Sequence, residues 1–250
     1  MGKEVERIAN EYNHNVLLKL NSKFNFENVD DPNLVNNIDV FIDFSTPSAF
    51  LKNIKYVAEL GKNIVVGTTG WYDKLSEVKE IVERSGIGFI YGSNFSIGMN
   101  IVFKLTELAG KFVNKFSEYD VFIEEIHHSQ KLDAPSGTAL RLFEILINEI
   151  ERKREKLIGK PNGKISPEVI QIVSVRSGSF FGNHSVVFDS IFDTIEIRHS
   201  SKGRTGFAIG ANPALNMCYM AIQFLNLCKT ISLDHLELCI ELLDQLQVAF

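Results

Sequence analysis

The sequence predicts an α/β protein of two domains: a doubly wound parallel sheet, then an α+β domain with an open mixed sheet. Strand-like and helix-like segments alternate over residues 1–92, which is the pattern of parallel strands joined by right-handed helical crossovers. From residue 97 a long helical pattern is followed by several strand-like runs in series, which favours a largely antiparallel or mixed sheet. A length of 250 residues suits one large domain or two small ones.

The elements of the first domain follow from its apolar periodicity. Val5, Ile8 and Ala9 share one helical face, whereas continuous apolar runs such as residues 39–45 indicate strands buried on both faces. Pro47 at the first turn and Gly61 after the last turn delimit one helix. We expect helices over residues 2–12, 47–60 and 74–85, and strands over residues 16–20, 39–45, 63–67 and 88–91.

The start of the chain departs from the usual pattern of a doubly wound nucleotide-binding domain. Such a domain opens with a strand and a Gly-rich turn before its first helix. Here the first helix follows Met1 directly, so we expect the first strand of the sheet to be missing, with Gly2 as the last glycine of that turn. The alternative is a fold that simply begins with a helix.

The second domain is predicted over residues 97–212, with residues 1–96 and 213–250 forming the first. Glu124 and Glu125 alternate along a predicted strand, so one of them should face inward. We expect helices over residues 97–116, 136–153, 213–227 and 233–247, and strands over residues 120–126, 169–175, 184–189, 194–199 and 206–209.

Composition excludes several classes of protein. The net charge is −5 and the basic residues are scattered, which argues against a nucleic-acid partner. No apolar stretch is long enough for a membrane span. Cys218, Cys228 and Cys239 are odd in number and lie in apolar surroundings, which indicates reduced thiols in a cytoplasmic protein. No histidine lies near them at a ligand-like spacing, so we expect no metal site.

Two groups of residues point to chemistry. Polar turns follow the predicted parallel strands at Ser45-Thr46, Thr68-Thr69 and Ser93-Asn94, and such turns share the rim where ligands bind. Residues 127–138 combine two imidazoles, an ammonium group and the start of a helix. Imidazole and ammonium groups can deliver a proton near neutral pH, and a helix N-terminus binds anions. This composition suits a small dianionic substrate that accepts a proton; the alternative is a structural histidine pair beside an ordinary helix cap.

The string His127-His128-x-x-Lys131-x-Asp133-Ala134-Pro135-Ser136-Gly137-Thr138-Ala139 resembles the signature of dihydrodipicolinate reductases. Further motifs follow in that family's order and spacing: Asp43-Phe44-Ser45-x-Pro47, Gly67-Thr68-Thr69-Gly70, Asn94-Phe95-Ser96-x-Gly98-x-Asn100 and Arg204-x-x-Phe207-Ala208. The resemblance therefore covers nearly the whole chain. It implies a Rossmann-like first domain and the reduction of dihydrodipicolinate, or of 4-hydroxy-tetrahydrodipicolinate, by NADH or NADPH in diaminopimelate and lysine biosynthesis. It also implies a cytoplasmic homotetramer built through the sheet of the second domain.

The resemblance assigns roles to individual residues. His127 would be the general acid, with Lys131 assisting it and binding a substrate carboxylate. His128, Gly137 and Thr138 would bind the substrate. The cofactor would be bound by residues that follow the parallel strands: Gly67, Thr68, Thr69, Gly92, Ser93, Asn94, Phe95 and, at the ribose position, Asn21. The family's acidic residue is replaced by Asn21, which would admit NADPH as well as NADH.

The family's Gly-rich phosphate turn is absent, which leaves two alternatives to a working reductase. One is a truncated, inactive dicarboxylate-binding homologue without competent dinucleotide binding. The other is a different two-domain dehydrogenase acting on another small acid. Outside the motif, we expect His184 and His199 to be ordinary partly buried residues and Arg204 to give structural support.

Overall fold

The computed structural model describes residues 1–24, 26, 29, 32–211 and 248–249. The chain divides into two compact units. The first comprises Met1–Phe95 and Phe207–Phe250, and the second comprises Ser96–Gly206. None of the described helices is both long enough and apolar enough to cross a membrane.

The first unit contains a sheet in the order β1-β2-β3-β9. The three neighbours β1 to β3 are parallel, and β9 pairs antiparallel with β3. The strands are β1 (Val40–Asp43), β2 (Asn63–Val66), β3 (Phe89–Tyr91) and β9 (Val248–Ala249). The helices are α1 (Gly2–Glu11), α2 (Pro32–Asn36), α3 (Pro47–Glu59) and α4 (Leu75–Ser85), and a 3₁₀ turn at Tyr72–Lys74 precedes α4.

Strands β2 and β3 of the first unit are buried on both faces, as their continuous apolar runs predict, whereas the apolar residues of β1 are half-buried. On one face Ile64, Val66 and Phe89 pack with Trp71 and with residues of α3 and α4. On the other face Val65 and Ile90 pack with Phe95 and Ala211. The predicted α/β class is therefore confirmed, with a parallel sheet at its centre.

The helices of the first unit begin and end where the sequence signals them. Thr46 caps α3 by accepting a hydrogen bond from the backbone N–H of Ala49, and Pro47 occupies the first turn. The left-handed backbone of Gly86, with φ +66°, ends α4. These termini fix the connections that follow β1 and precede β3.

The second unit contains a mixed sheet of five strands in the order β5-β6-β4-β7-β8. The central strand β4 runs parallel to β6 and antiparallel to β7. The strands are β4 (Asp120–His127), β5 (Glu155–Ile158), β6 (Val169–Arg176), β7 (Asn183–Asp189) and β8 (Thr194–Ser200), and the helices are α5 (Ile97–Val113) and α6 (Gly137–Glu149). The two helices cover one sheet face, where Ile123, Ile172 and Val186 pack against Leu142 and Leu146.

Four segments differ from the sequence prediction. Residues 14–20 alternate between half-buried and exposed, as an extended chain does, but they pair with no strand in the described part of the chain. The strand predicted over 16–20 is therefore wrong, because alternation determines which face each side chain takes but supplies no partner for the backbone. Residues 205–211 are helical, so the predicted strand over 206–209 is also wrong. The prediction omitted α2 and β5. The helices predicted over 213–227 and 233–247 lie outside the described residues.

The helix over residues 205–211 has a packing reason for its glycine. A Cβ on Gly210 would lie 1.6 Å from the carbonyl oxygen of Phe95, so the helix approaches that backbone more closely than any side chain allows. A short run such as Gly206-Phe207-Ala208-Ile209 has too few residues to distinguish period 2 from period 3.6.

Candidate active site

The side chains of Glu125 and His127 lie on the helix-covered face of β4. The strand alternates between buried and more exposed residues, and both of these belong to the buried set. In the sheet register Glu125 lies between Ser174 of β6 and His184 of β7, and His127 lies opposite Arg176 of β6. The register of three strands thus gathers a carboxylate, two imidazoles and a guanidinium on one face, at the carboxyl end of β4.

One oxygen of the Glu125 carboxylate is held by three donors. Oε1 accepts hydrogen bonds from the backbone N–H of Ser136 at 2.9 Å, from Ser174 Oγ at 2.7 Å and from Arg176 Nη2 at 2.8 Å. The side chain is fully buried. A buried carboxylate is stable only when it is paired and hydrogen-bonded, and this one is both.

The other oxygen, Oε2, faces two imidazoles. It lies 3.4 Å from His127 Nδ1 and 3.6 Å from His184 Nε2. The two rings meet edge to face with centroids 5.0 Å apart. His184 Nε2 also lies 3.2 Å from Ser136 Oγ. Within the described residues, neither Oε2 nor His127 Nδ1 makes a hydrogen bond.

The surroundings of Glu125 favour its charged form. Burial alone would raise the pKa of the carboxyl group. Contacts from His184, Ser136, Arg176 and Ser174 outweigh burial and hold the pKa well below its usual range. Glu125 is therefore a carboxylate at neutral pH.

The surroundings of His127 favour its neutral form. Burial lowers the pKa of the imidazole to about 4, and the nearby charges of His184, Lys131 and Arg176 act in the same direction. Glu125 alone opposes them. In the free protein the ring is thus uncharged at neutral pH, and it needs added negative charge nearby to take up a proton.

The second ring nitrogen of His127 lies beside a glycine. A Cβ built on Gly182, whose φ is +150°, would lie 3.0 Å from His127 Nε2. A side chain at this position would crowd the nitrogen, and the backbone conformation is one that favours glycine. Gly182 therefore leaves space next to Nε2.

The loop after β4 carries the other residues of the motif. His128 is half-buried, and its backbone N–H donates to the carbonyl oxygen of Phe180 at 2.8 Å. Lys131 Nζ lies 2.7 Å from Asp133 Oδ1. Arg176 Nη2 donates to the backbone oxygen of Asp133 at 2.6 Å, which fastens the loop to β6.

The same loop ends at the first turn of α6. Ser136 caps this helix, since its Oγ accepts a hydrogen bond from the backbone N–H of Ala139 at 3.2 Å. Gly137 is exposed and Thr138 is half-buried, and both lie in the first turn. The N-terminus of α6 carries the positive end of the helix dipole, which favours an anion nearby.

Glu125, His127 and His184 also form a group that could hold a metal ion. One ligand atom from each lies within 4.8 Å of the other two. Two imidazoles and a carboxylate are a ligand set that zinc accepts, but the guanidinium of Arg176 bonds to the same carboxylate and would repel a cation. The sequence prediction of no metal considered only the cysteines, and it stays a prediction.

The residues predicted to bind the cofactor follow β2 and β3 of the first unit, except Asn21. Thr68 is buried and its Oγ1 donates to Asp43 Oδ1 at 2.7 Å. Thr69 and Ser93 are exposed, and Asn94 is buried. Asp43 thus ties the turn after β2 to the end of β1, where parallel α/β sheets bind ligands.

Gly67, Gly92 and Phe95 pack against aromatic rings. A Cβ on Gly67 would lie 2.0 Å from Phe44 Cε1, and one on Gly92 would lie 3.5 Å from Phe95 Cε2. The rings of Phe44 and Phe95 are 6.1 Å apart and meet edge to face. A side chain at position 67 would therefore displace the ring of Phe44.

Asn21 lies in an exposed turn. Its Oδ1 accepts hydrogen bonds from the backbone N–H groups of Lys23 at 2.8 Å and Phe24 at 3.1 Å. These contacts are those of an Asx turn, so the carbonyl oxygen of this amide is engaged with its own loop.

The sequence prediction did not name five members of the cluster as site residues: Glu125, Ser174, Arg176, Gly182 and His184. His184 was expected to be an ordinary partly buried residue. The signal that could have found Ser174 and Arg176 is their position at the end of an otherwise apolar strand, at the period of 2 that puts both on one face. Of the two alternatives left open at Glu124 and Glu125, the structure turns Glu125 inward.

Comparison with known proteins gives consistent matches along the chain. Residues 1–95 match the family model "Dihydrodipicolinate reductase, N-terminus", and residues 98–228 match "Dihydrodipicolinate reductase, C-terminus". The chain is 38% identical over 211 residues to 4-hydroxy-tetrahydrodipicolinate reductase from Christiangramia forsetii, covering 84% of this chain and 85% of the relative. It is 37% identical over 175 residues to the enzyme of the same name from Methanococcus aeolicus, covering 69% and 63%.

A solved structure shares the fold. Dipicolinate-bound dihydrodipicolinate reductase from Paenisporosarcina sp. TG-14 matches with a TM-score of 0.56 and 30% sequence identity, over 72% of this chain and 68% of that one. The fold and the matches together define a Rossmann-like, nicotinamide-dependent oxidoreductase. The chain belongs to the dihydrodipicolinate reductase family, and it is an NAD(P)H-dependent enzyme.

Proposed function

We propose that the chain reduces 4-hydroxy-tetrahydrodipicolinate, or dihydrodipicolinate, to tetrahydrodipicolinate in diaminopimelate and lysine biosynthesis. The observation that carries this proposal is the loop from His127 to Thr138, which joins a buried imidazole to a helix N-terminus. The relatives named 4-hydroxy-tetrahydrodipicolinate reductase support the choice of substrate, and the solved relative with dipicolinate bound supports a small planar dicarboxylate.

The substrate dianion is bound by the loop and by the start of α6. Gly137 and Thr138 lie at the positive end of the dipole of α6, which faces one carboxylate in this proposal. Lys131 and His128 meet the substrate from the loop. Lys131 is paired with Asp133 in the free protein, so its ammonium group exchanges one carboxylate partner for another when the substrate arrives.

His127 is the general acid of the proposed reaction. When bound, NAD(P)H would supply the hydride, and the imidazole would supply the proton that the substrate takes up at the neighbouring atom. The 4-hydroxy substrate would first lose its hydroxyl group as water, which gives dihydrodipicolinate. Because the pKa of His127 is lowered to about 4 in the free protein, the ring takes up its proton when a dianion binds nearby and raises that pKa. The proton is then held on Nε2, in the space that Gly182 leaves open.

The cofactor lies on the rim of the parallel sheet in this proposal. Residues 1–96 and 213–250 form the dinucleotide-binding domain, and residues 97–212 bind the substrate and form the oligomer. The rim residues suit this role because Thr69 and Ser93 present exposed hydroxyl groups after β2 and β3. The full cofactor set is Asn21, Gly67, Thr68, Thr69, Gly92, Ser93, Asn94 and Phe95. The alternative of a truncated homologue without dinucleotide binding lacks support, since residues 1–95 match the family's N-terminal model.

Two measurements test the proposed function. His127→Gln is expected to lower kcat by about 10²–10⁴, the usual contribution of a general acid, while His14→Gln in the first unit leaves kcat unchanged. Unchanged turnover in His127→Gln would remove the imidazole from this role. Pyridine-2,6-dicarboxylate is expected to inhibit competitively, and its failure to do so would favour another small acid as the substrate.

A titration of NADH fluorescence tests the cofactor proposal separately. A saturable change on adding the protein is expected, and the same titration with NADPH measures the preference. No saturable signal with either cofactor would return the truncated, inactive homologue to consideration.

We further propose a homotetramer in the cytoplasm. The face of the mixed sheet opposite the helices exposes Phe122 and Val175, and the half-buried Ile126, Val173 and Val187 lie around them. Apolar side chains in a contiguous patch favour association. Light scattering on the protein as it elutes from a size-exclusion column measures the mass of the assembly, and the mass of a monomer would contradict the proposal.

A further inference from the structure

We propose that Glu125 is the positioning residue of His127: its Oε2 accepts a hydrogen bond from Nδ1–H, so that Nε2 is the atom that exchanges a proton with the substrate. The inference rests on the proposed role of His127 as the general acid. It adds a residue outside the loop motif, placed on β4 two positions before the imidazole.

The carboxylate is fixed before it meets the imidazole. Its Oε1 accepts from Ser136, Ser174 and Arg176, which come from the loop before α6 and from β6. Three donors on one oxygen prevent the carboxylate from turning, so the direction of Oε2 is set by the fold. A charged acceptor with a fixed direction is what holds an imidazole in one tautomer.

Two buried polar atoms are left facing each other. Oε2 of Glu125 and Nδ1 of His127 are 3.4 Å apart, and in the described part of the chain neither has a hydrogen-bond partner. A buried polar atom without a partner costs free energy, so a small turn of the ring that joins the two is favourable. Once the ring is protonated the bond is charge-assisted, and such bonds are shorter.

His184 also lies beside Oε2, but a different partner is nearer to it. Its Nε2 is nearer to Ser136 Oγ, at 3.2 Å, than to Oε2, at 3.6 Å. The serine Oγ already accepts from Ala139, so its own proton is available to His184. Of the two rings, that of His127 lies nearer to Oε2, at 3.4 Å.

The charges around His127 give Glu125 a second effect. The groups that act on the ring are Glu125 on its own strand, Arg176 on β6, His184 on β7 and Lys131 in the loop. Glu125 is the negative one, and it alone raises the pKa of the ring. The same carboxylate thus orients the imidazole and favours its protonated form during turnover.

The Nε2 side of the His127 ring is suited to proton exchange with the substrate. Nε2 lies next to Gly182, where a Cβ would come within 3.0 Å. If Nδ1 faced the substrate instead, the ring would have to turn Nε2 toward the buried carboxylate. The contacts observed favour Nδ1 inward and Nε2 outward.

The direct test is the tautomer of His127 in the wild-type enzyme, read from the ¹⁵N signals of the ring near neutral pH. The signals are assigned by their loss in His127→Gln. We expect a protonated Nδ1 and a bare Nε2; a protonated Nε2 with a bare Nδ1 would overturn the proposal. This measurement needs no substrate and no cofactor, so its failure is distinguishable from failure of the proposed function.

Kinetics of Glu125→Gln supply the second test, with Glu124→Gln on the opposite face of β4 as the matched control. The amide keeps the volume and can still accept from Ser136 and Ser174, but it loses the charge. We expect kcat to fall about 10–100-fold with KM for the substrate within about 3-fold, and the pH above which kcat declines to move lower. Glu124→Gln should behave as wild type.

The outcomes of the kinetic test separate positioning from a structural role. An unchanged kcat in Glu125→Gln, or a lower kcat without any change of the pH profile, would overturn the proposal. Glu125→Asp keeps the charge beside Arg176, so it should restore the pH profile even where kcat stays low. Should Glu125→Gln fail to fold, the pH profile of Glu125→Asp and the tautomer of His127 in the wild type still test the proposal.

Discussion

Replacing His127 by glutamine is expected to make the second unit less sensitive to acid. The imidazole has a pKa of about 4 in the folded protein, against about 6.5 in an unfolded chain. Between these values the unfolded chain binds a proton that the folded chain does not bind. The free energy of unfolding of the wild type therefore falls as the pH is lowered from about 6.5 to about 4, and this contribution is absent from the variant.

The size of the effect follows from the difference between the two pKa values. Each tenfold difference in proton affinity corresponds to about 1.4 kcal/mol, so the upper limit is about 3 kcal/mol. Solvent screening at the open side of the ring reduces this to roughly 2 kcal/mol. The variant also loses the contact with Glu125. This loss lowers its free energy of unfolding at every pH, so the test compares how that free energy changes with pH.

Urea denaturation followed by far-UV circular dichroism between pH 4.5 and 7.5 measures this difference. Trp71 is the single tryptophan and lies in the first unit, so its fluorescence does not follow the second. The stability of the wild type should fall by roughly 2 kcal/mol more than that of His127→Gln over this range, and His14→Gln should track the wild type. Parallel pH profiles for wild type and His127→Gln would refute the placement of a neutral, buried imidazole here.

Three further substitutions test single contacts. Gly182→Ala places a Cβ 3.0 Å from Nε2 of His127. We expect kcat to fall about 10-fold or more and the free energy of unfolding to fall by about 1–3 kcal/mol. A wild-type kcat would contradict the position of Nε2. Ser136→Ala removes the cap of α6 and should cost about 1 kcal/mol in urea denaturation, whereas an unchanged midpoint would argue against the cap. Thr68→Val removes the donor to Asp43 and should lower the free energy of unfolding, followed by tryptophan fluorescence, by about 1.5–3 kcal/mol; no change would show that the hydroxyl is dispensable.

Much of the fold could be predicted because the signals are local. Continuous apolar runs predicted the three parallel strands, and Pro47 and Gly61 mark helix ends through their own backbone preferences. The strand predicted over residues 16–20 failed because alternation says nothing about a pairing partner. The edge strand Glu155–Ile158 was missed because its charged, exposed residues show no apolar pattern.

The candidate site could likewise be predicted only where its signals are local. The segment from His127 to Thr138 is contiguous, so its chemistry can be read directly from the sequence. Ser174 and His184 lie about 50 and 60 residues beyond Glu125 in the chain, and only the register of β6 and β7 against β4 brings them to it. No local pattern encodes that register, although it determines which groups surround the imidazole. The cofactor residues of the first unit remain predictions.

The position of β4 at the middle of its sheet links turnover to correct folding. A shift of one residue in its pairing would carry both Glu125 and His127 to the opposite surface and abolish the cluster. Both neighbours of β4 follow it in the chain, so each pairing closes a long loop, and pairings of that kind form slowly. Recovery of enzymatic rate after dilution from denaturant should consequently lag behind the return of secondary structure, which makes catalysis a sensitive reporter of the last step of assembly.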